Sequence, residues 1–308
     1  MRLRPISNEV KNSLVILGVN GYIGSNLLRR AIQDPNIEIK AVAHGKIPSD
    51  FPRSARVQIY KGTIFDRTLL PRILKKGDTV VNAVGSTTAS HDFKIDIELN
   101  VTAHQVLLEE CIRAKVKKII FLSTIHVYRP SAKAAHESDL IYPQDTYSLT
   151  KVLGETLYAY FHRVYQIPVI ILRLGSVYGP SQPKGVLYTL AHSIRETRTI
   201  TIPARPLYRD FVFITDAVDA ILKAAAFKTN GIEYFNISNS RRVSFSALIA
   251  EVTRMVPIPI SVVKKGSVPR VSSTFADTSH AAKFLHFRPC MSFTKGLAET
   301  LSSYGLLN

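Results

Sequence analysis

The sequence contains little cysteine. Only Cys111 and Cys290 occur among 308 residues, and they are not spaced as a metal-binding or redox pair. This scarcity argues against a disulfide framework and favours a reducing compartment. The nine histidines are scattered, without an HExxH motif or a paired Cys/His pattern. We therefore expect no structural metal ion.

A long apolar run is also lacking. The N-terminal segment MRLRPISNEVKNS is basic and polar, and the apolar stretch LVIL that follows it is too short for a signal-peptide core or a membrane span. The sequence therefore predicts a cytoplasmic protein without a membrane partner.

Acidic residues are few, because 23 Asp and Glu stand against 40 Lys and Arg, which gives a net charge of +17. A charge of this size can attract a polyanion. The excess is spread along the chain and not held in a tail, which is more typical of a general attraction for anions than of a nucleic-acid-binding stripe. The sequence thus argues against a nucleic-acid partner.

Apolar residues make up 46% of the chain, enough for a large core. Strand-like runs alternate with helical patterns through the first half, and several runs are continuous Val, Ile and Leu, as in a parallel sheet covered on both faces. The predicted strands are 14–17, 37–43, 57–60, 79–83, 118–123 and 169–172. Helical patterns include 25–33, 67–76, 100–115, 150–166, 245–255 and 292–303. This order predicts an α/β protein with a Rossmann-like, doubly wound parallel sheet and a smaller C-terminal substrate-binding lobe.

The composition changes after Tyr178, where GPSQPKG and then IPARP interrupt the pattern. We expect residues 1–178, with about 209–237, to form an NAD(P)-binding Rossmann domain. Residues 179–208 and 238–308 are expected to form the substrate-binding lobe. Ligands of open α/β sheets bind beyond the carboxyl ends of the strands, so this lobe would cover that edge.

A glycine-rich turn follows the first predicted strand. The stretch LGVNGYIGSNLLRR puts Gly18, Gly21 and Gly24 between a strand and a helix. Without Cβ atoms, such a turn lets backbone N–H groups and a helix N-terminus approach a pyrophosphate. Ordinary tight turns also produce such triplets, but the strand–turn–helix context favours dinucleotide binding.

The end of the second predicted strand bears on cofactor choice. An Asp or Glu there would hold the ribose hydroxyls of NAD, yet Ala43 stands at that point and His44 and Lys46 follow. A 2′-phosphate would meet positive charge, so we expect NADP in preference to NAD, with NAD as the alternative. The adenine is expected near Thr63 and Ile64.

The stretch YSLTK carries a phenol and an ammonium four residues apart, on one face of a predicted helix. By itself the pattern also fits a solvated helix face. Thr124, however, comes at the end of the fifth predicted strand, directly after Ser123. Its hydroxyl is therefore expected at the carboxyl edge of the sheet, where the helix with Tyr147 also begins. Thr124 could bind a substrate oxygen while Tyr147 exchanges a proton and Lys151 supplies positive charge. A phenol pKa of about 10 must fall for this role, and we expect Lys151 and an oxidised nicotinamide to lower it.

These motifs together resemble the extended short-chain dehydrogenases/reductases, in particular their NAD(P)-dependent nucleoside-diphosphate-sugar epimerase/dehydratase branch. GVNGYIG resembles the glycine motif of this family, FLSTIHVY its active-site strand, and YSLTK its Tyr-x-x-x-Lys signature. ILRLGSVYGP and RDFVFITDAVDAI are similar to later segments, so the resemblance covers nearly the whole chain. It implies a homodimer in which the helix containing Tyr147 takes part.

The resemblance implies roles for individual residues. Tyr147 would be the acid/base, Lys151 its electrostatic partner and ribose ligand, and Thr124 the third catalytic hydroxyl. The predicted cofactor-binding residues are Gly18, Asn20, Gly21, Tyr22, Ile23, Gly24, His44, Thr63, Ile64, Ala83, Val84, Gly85, Asn100, Leu122, Tyr147 and Lys151. The predicted substrate-binding residues are Thr87, Ser176 and Arg209, the last as the guanidinium that grips the diphosphate. For Asn100 the alternative is a plain helix N-cap, and for Arg209 a solvated surface side chain.

The chain departs from the family on the substrate side. The 4,6-dehydratases carry Asp-Glu directly after the catalytic Thr, where this chain has Ile125 and His126. Dehydration needs an acid and a base besides the Tyr, so that activity is not expected. His126 could be a substitute acid or a structural residue. Ser176 also replaces the usual Asn, and ARPLY the usual Gly-rich turn.

The predicted function is hydride transfer between nicotinamide C4 and a sugar carbon of a nucleoside-diphosphate hexose. The leading form is an NADPH-consuming keto-sugar reductase, because the second strand ends in basic residues. The alternative is a 4-epimerase, in which one cofactor oxidises and re-reduces C4. A non-enzymatic dinucleotide- or RNA-binding protein of the same fold is the alternative of another class. Such a protein does not need the Tyr and the Lys, whereas this chain has both, as Tyr147 and Lys151.

Overall fold

The chain is built around a seven-stranded sheet in which every neighbouring pair is parallel. The structure, a computed structural model, describes residues 12–47, 51–86, 92–203, 206–265 and 274–307. The predicted substrate residue Thr87 and the basic segment 1–11 lie outside these ranges. The strands of the sheet are β1 (Asn12–Leu17), β2 (Ile37–Ala43), β3 (Val57–Lys61), β4 (Thr79–Asn82), β5 (Lys118–Thr124), β6 (Val169–Leu174) and β11 (Ile232–Ile237). Their order is β11-β6-β5-β4-β1-β2-β3.

The central strands are buried on both faces, which explains their unbroken apolar runs. Every residue of β4, β5 and β6 is buried. Within β1, Leu14 and Ile16 pack into the core on one face of the sheet, while Val15 and Leu17 pack into the core on the other. Such two-sided burial is the condition for an all-parallel sheet. The six predicted strands and the fold class are confirmed.

Ten α-helices occur among the described residues. They are α1 (Tyr22–Ala31), α2 (Leu70–Ile73), α3 (Phe93–Ile97), α4 (Ala103–Ala114), α5 (Thr146–Tyr165), α6 (Val186–Thr197), α7 (Ile214–Ala226), α8 (Phe245–Met255), α9 (Ser279–Phe284) and α10 (Phe293–Ser303). A π-helical turn, Glu98–Thr102, joins α3 to α4, and a 3₁₀ turn, Ile125–Val127, follows β5. None of the described helices is long and apolar enough to span a membrane.

Several predicted helices have different bounds, and two of the differences have a clear local cause. The helix predicted at 67–76 is only α2, because Asp66 Oδ1 accepts hydrogen bonds from the N–H groups of Thr68 and Leu69 and forms a turn there, and because Leu74 is already extended. The helix predicted at 100–115 begins earlier, since α3 runs into it through the π-helical turn.

The later part of the chain adds three small two-stranded sheets. β7 (Ser176–Tyr178) pairs with β10 (Phe211–Phe213), β8 (Thr199–Pro203) with β13 (Ser261–Lys265), and β9 (Tyr208–Arg209) with β12 (Val243–Ser244). These sheets and the helices α6, α8 and α10 lie beside the main sheet. The predicted boundaries between a cofactor domain and a substrate lobe stay a prediction.

Candidate active site

A cleft of about 560 Å³ lies beyond the carboxyl ends of β1, β4, β5 and β6. Twelve of the predicted site residues line it: Asn20, Gly21, Tyr22, Ile23, Ala83, Val84, Gly85, Leu122, Thr124, Tyr147, Lys151 and Ser176. Seven do not: Gly18, Gly24, His44, Thr63, Ile64, Asn100 and Arg209. No Asp or Glu is among the described lining residues, whereas Lys151 and Lys184 are. These walls of the cleft are therefore neutral or positive, which suits an anionic ligand.

The glycine turn between β1 and α1 forms one end of the cleft. Gly18 has a φ of +83°, and a Cβ there would lie 3.0 Å from the backbone of Ala83. A Cβ on Gly24 would overlap the carbonyl oxygen of Gly18. The first turn of α1 has no side-chain cap and no acidic residue. Gly18 and Gly24 thus sit behind the cleft and let an uncapped helix N-terminus face it, an arrangement that fits a diphosphate.

The adenosine side of this end follows β2. After Ala43 the chain continues through His44, Gly45 and Lys46, all exposed, and Asn20 Nδ2 donates to the carbonyl oxygen of Lys46 at 2.8 Å. The loop is thereby tied to the glycine turn, and it carries no carboxylate up to residue 47, where this described range ends. The roles of His44, Thr63 and Ile64 stay predictions, and Ile64 itself is a buried core residue.

The loop after β4 passes close to Lys151. A Cβ on Gly85 would lie 2.7 Å from Asn100 Oδ1 and 3.1 Å from Lys151 Nζ. Asn100 is fully buried; its Oδ1 accepts from the Ser86 N–H at 3.0 Å, and its Nδ2 donates to Thr150 Oγ1 at 2.9 Å. It lies inside the π-helical turn and caps no helix, so the N-cap alternative is wrong. Asn100 instead holds the β4 loop against α5, and π-helical turns often occur at such functional places.

The predicted catalytic trio is brought together. Helix α5 begins with a capping box formed by Asp145 and Ser148, which puts Tyr147 in its first turn and Lys151 one turn later. The Thr124 hydroxyl lies near enough to the Tyr147 phenol to lower its pKa slightly. Lys151 Nζ donates to the carbonyl oxygen of Leu122 at 3.0 Å and lies 5.8 Å from the centre of the Tyr147 ring.

Burial controls the acid–base properties of this trio. It raises the pKa of Tyr147 to about 12, with the Asp145 carboxylate adding to the rise and the Thr124 hydroxyl opposing it. It also lowers the pKa of Lys151 to about 8, against the carboxylate of Glu155. In the protein's own groups the cost of desolvating the phenolate thus dominates. The expected lowering of the phenol pKa by Lys151 together with an oxidised nicotinamide stays a prediction.

A buried ion pair supports the trio from behind. Glu155 lies one helical turn after Lys151, and its carboxylate accepts from Ser123 Oγ at 2.5 Å and from Arg173 Nη2 at 2.6 Å. All three side chains of this network are buried. The network joins β5, β6 and α5 directly under the catalytic residues and limits their freedom to move.

Later segments of the chain complete the lining of the cleft. Ser176, in β7, faces it together with the loop residues Gln182, Pro183, Lys184 and Gly185. No sequence motif predicted these four loop residues. The GPSQPKG stretch signals a loop, but nothing in it identifies a binding residue. Ser86, Ser123, Leu174, Gly175 and Val177 line the cleft without having been predicted as well.

Arg209 lies near His126 without lining the cleft itself. It is half-buried in β9, so the surface alternative is wrong. Burial lowers the pKa of Arg209 to about 10, and the carboxylate of Asp145 opposes the fall. The positive charge of Arg209 also helps to lower the pKa of His126, whose side chain lines the cleft. Among the described residues, no group of three or more His, Cys, Asp or Glu could hold a metal ion.

Comparisons with known proteins agree with this geometry. The model of the NAD dependent epimerase/dehydratase family matches residues 14–238. An uncharacterised UDP-glucose epimerase of Bacillus subtilis (strain 168) is 27% identical over 312 residues, which cover 94% of this chain and 96% of the relative. The human dTDP-D-glucose 4,6-dehydratase is 27% identical over 258 residues, covering 79% and 73%. A solved structure, UDP-glucuronic acid 4-epimerase of Bacillus cereus with UDP-glucuronic acid and NAD, is 27% identical with a TM-score of 0.88 and covers 95% of this chain and 99% of that one.

Proposed function

Since this chain belongs to the NAD dependent epimerase/dehydratase family, we propose that it is a 4-epimerase of a nucleoside-diphosphate hexose, with a UDP-hexose as substrate. The observation that carries the proposal is that Thr124 and Tyr147, with Lys151 one helical turn away, line one cleft whose described walls hold no carboxylate. Thr124 and Tyr147 suit the exchange of a proton with a sugar oxygen. Walls without carboxylates suit a diphosphate.

Two arguments select epimerisation within the family. Dehydration needs a further acid, but residue 125 is Ile, and burial lowers the pKa of His126 to about 3, so His126 is a neutral imidazole and not an imidazolium acid near neutral pH. The two relatives above that cover nearly the whole chain are named as 4-epimerase or UDP-glucose epimerase. Keto-sugar reduction, the leading prediction from the sequence, rests only on the basic residues after β2 and is less well supported.

In the proposed reaction Tyr147 takes the proton of the C4 hydroxyl as that alcohol is oxidised, and it returns the proton after the sugar has presented its other face. Thr124 orients the same oxygen. When bound, a nicotinamide cofactor supplies the hydride acceptor and donor. Because burial raises the pKa of Tyr147 to about 12, its phenolate needs positive charge nearby. Lys151, as an ammonium, and an oxidised nicotinamide ring would supply that charge together.

The cofactor would lie along the first half of the cleft. The diphosphate fits the turn before α1, and Ala83, Val84 and Gly85 would pass beside the nicotinamide half. Lys151 would bind the ribose. His44 and Lys46 favour NADP as the cofactor, and this preference is part of the proposal. NAD is the alternative, because the related Bacillus cereus structure contains NAD. Calorimetric titration with both cofactors distinguishes them.

The proposed oligomer is a homodimer formed through α5. Four large apolar side chains on one face of α5 are 37 to 48% exposed: Leu149, Leu153, Tyr160 and Val164. A stripe of this kind is a common feature of association surfaces. Leu153→Glu should shift the protein to a monomer in light scattering, and an unchanged mass would contradict the dimer.

The enzymatic proposal is tested by incubating the protein with UDP-glucose and, separately, with UDP-glucuronic acid. Each reaction contains a catalytic amount of NAD or NADP and is followed by proton NMR. We expect one of the two sugars to reach an equilibrium mixture of its C4 epimers without net change of cofactor. Stoichiometric consumption of NADPH on a 4-keto sugar would support the reductase instead.

A further inference from the structure

One loop of the cleft is connected to the end of the last helix. Residues 179–185, the cleft loop, join β7 to α6 and supply four lining residues, Gln182, Pro183, Lys184 and Gly185. The loop begins at Gly179 and ends at Gly185, whose φ angles are +154° and +110°. Glycine at both ends gives the backbone many conformations, so the loop needs other contacts to keep a single one.

Two hydrogen bonds tie the cleft loop to the C-terminal end of α10. Ser303 Oγ accepts from the backbone N–H of Ser181 at 2.9 Å, and the Tyr304 hydroxyl donates to the carbonyl oxygen of Gln182 at 2.8 Å. In both bonds the partners are 122 residues apart in the sequence. Because both bonds act on the backbone of the loop, they fix its path directly.

The two side chains of α10 are oriented for these bonds. Ser303 Oγ donates its proton to the carbonyl oxygen of Thr300 at 2.7 Å, which leaves a lone pair for the Ser181 N–H. Burial, with a contribution from Tyr188, raises the pKa of Tyr304 to about 12. The Tyr304 phenol therefore keeps the proton that it donates throughout the physiological pH range.

The path of the loop includes an unfavourable backbone conformation. Ser181 has a φ of +56°, in the left-handed region, which is sterically costly for a residue with a Cβ. Such a conformation persists where surrounding contacts maintain it. The N–H group that Ser303 binds is that of Ser181 itself. The bond thus stabilises the costly residue, directly before Gln182, the first residue of the loop that lines the cleft.

We propose that Ser303 and Tyr304 are positioning residues that hold the cleft loop in the conformation to which a UDP-sugar binds. Neither is among the described lining residues, so they act through the loop and not on the ligand. The choice of a UDP-sugar rests on the proposed function, whereas the connection between α10 and the loop does not. If only the held loop binds the sugar nucleotide, its affinity falls with the fraction of molecules in which the loop is held.

Hydrogen–deuterium exchange tests the connection without any ligand. The double variant Ser303→Ala/Tyr304→Phe removes both hydrogen-bonding groups with little change of volume. We expect the amides of residues 179–185 to exchange about tenfold faster than in the wild type, with the buried strand β6 unchanged. Ser302→Ala is the matched control, because Ser302 is an exposed neighbour on α10. An unchanged exchange rate of the loop would overturn the proposal.

Calorimetry with UDP-glucose and NAD tests the consequence for binding. We expect UDP-glucose to bind about tenfold more weakly to the double variant and about threefold more weakly to each single variant. Ser303→Thr keeps the hydroxyl and should bind like the wild type. NAD affinity should stay unchanged, since no predicted cofactor residue lies in the cleft loop.

The outcomes separate this proposal from the proposed function. Faster exchange of the loop with unchanged UDP-glucose affinity, or an equal loss of NAD affinity, would overturn the positioning role. If the wild type binds UDP-glucose and the variants respond as expected, but no epimer forms, the epimerase proposal fails and the positioning role stands. If the wild type does not bind UDP-glucose, the UDP-sugar is the wrong ligand, and the exchange rates alone decide whether α10 holds the loop.

Discussion

The proposed cofactor end and the proposed sugar end of the cleft are built in different ways. At the cofactor end the decisive positions are Gly18, Gly24 and Gly85, where a Cβ would meet backbone or catalytic atoms. At the sugar end the contacts come from side chains of distant segments, such as His126 and Lys184. The cofactor end therefore requires the absence of side chains in a local pattern, whereas the sugar end requires particular side chains brought together by the fold.

This difference explains why the ends differ in predictability. A close approach of backbone leaves a local signature, so the glycine turn is recognisable in the sequence alone. Recognition by side chains leaves no such signature, because many residue types can bind one hydroxyl. In the proposed complex the trio of Thr124, Tyr147 and Lys151 contacts both the cofactor and the sugar.

The largest effect is expected from Tyr147→Phe. Removing the phenolic oxygen leaves the sugar oxygen without its acid/base, so we expect turnover to fall by about 10²–10⁴-fold, the usual value of such catalysis. Affinity for NAD and for UDP should stay nearly unchanged, because both ends of the cleft are intact. Kinetics and calorimetry measure the two quantities, and Tyr165→Phe at the exposed end of α5 is the control. Full activity in Tyr147→Phe would remove the trio from the mechanism.

The next effect tests the cofactor end alone. In Gly24→Val the new side chain would overlap the Gly18 carbonyl oxygen, so the turn must shift. We expect NAD affinity to fall by about 100-fold, of the order of 3 kcal/mol, while UDP affinity changes little. Gly231→Ala is the control, since the nearest atom to a Cβ there is 3.7 Å away. Equal loss of NAD and UDP binding would mean that the two ends are not separable.

A pH profile tests the residue between the ends. Burial lowers the pKa of Lys151 from 10.5 to about 8, and the ammonium is the form that the mechanism needs. We therefore expect kcat/KM to fall about tenfold per pH unit above about pH 8. Because the unfolded chain keeps this proton up to its ordinary pKa, Lys151 should also increase stability as pH rises from about 8 to 10.5. A flat rate profile up to about pH 10 would contradict the requirement for the ammonium.

The smallest effect is expected from Lys184→Gln, which removes one exposed positive charge from the lining of the cleft. Lys184 is exposed and lines the cleft, so its charge should attract an anionic substrate without being essential. Lys184→Gln should weaken UDP-glucuronic acid binding by about two- to fivefold at low salt, with the difference fading as ionic strength rises. Lys228→Gln, also exposed but away from the cleft, provides the comparison. A salt-independent loss would indicate a direct contact instead of a field effect.

The sequence predicted the sheet because the strands β4, β5 and β6 are buried on both faces and so read as unbroken apolar runs. It predicted the start of α5 four residues too late, since the capping box of Asp145 and Ser148 uses a Ser where the usual pattern has Glu. The π-helical turn around Asn100 could not be predicted, because its cause is the tertiary hydrogen bonds of Asn100 to Ser86 and Thr150.

The acid–base state of the trio was equally hidden from the sequence. The spacing of Tyr147 and Lys151 suggested that the ammonium lowers the phenol pKa. Burial depends on the whole fold, and it outweighs that effect in the protein's own groups. The spacing was therefore informative about position, whereas the pKa values of these groups depend on burial, which the spacing does not report.

The most direct test of the central claim is the fate of the hydrogen on C4. UDP-glucose or UDP-glucuronic acid carrying deuterium at C4 is converted in ordinary water, and the product is examined by NMR and mass spectrometry. A 4-epimerase that removes and returns one hydride predicts that deuterium stays at C4 in the epimerised product, with no net change of cofactor. Loss of the label to water, or no epimer while NADPH is consumed on a 4-keto sugar, would contradict epimerisation by this protein.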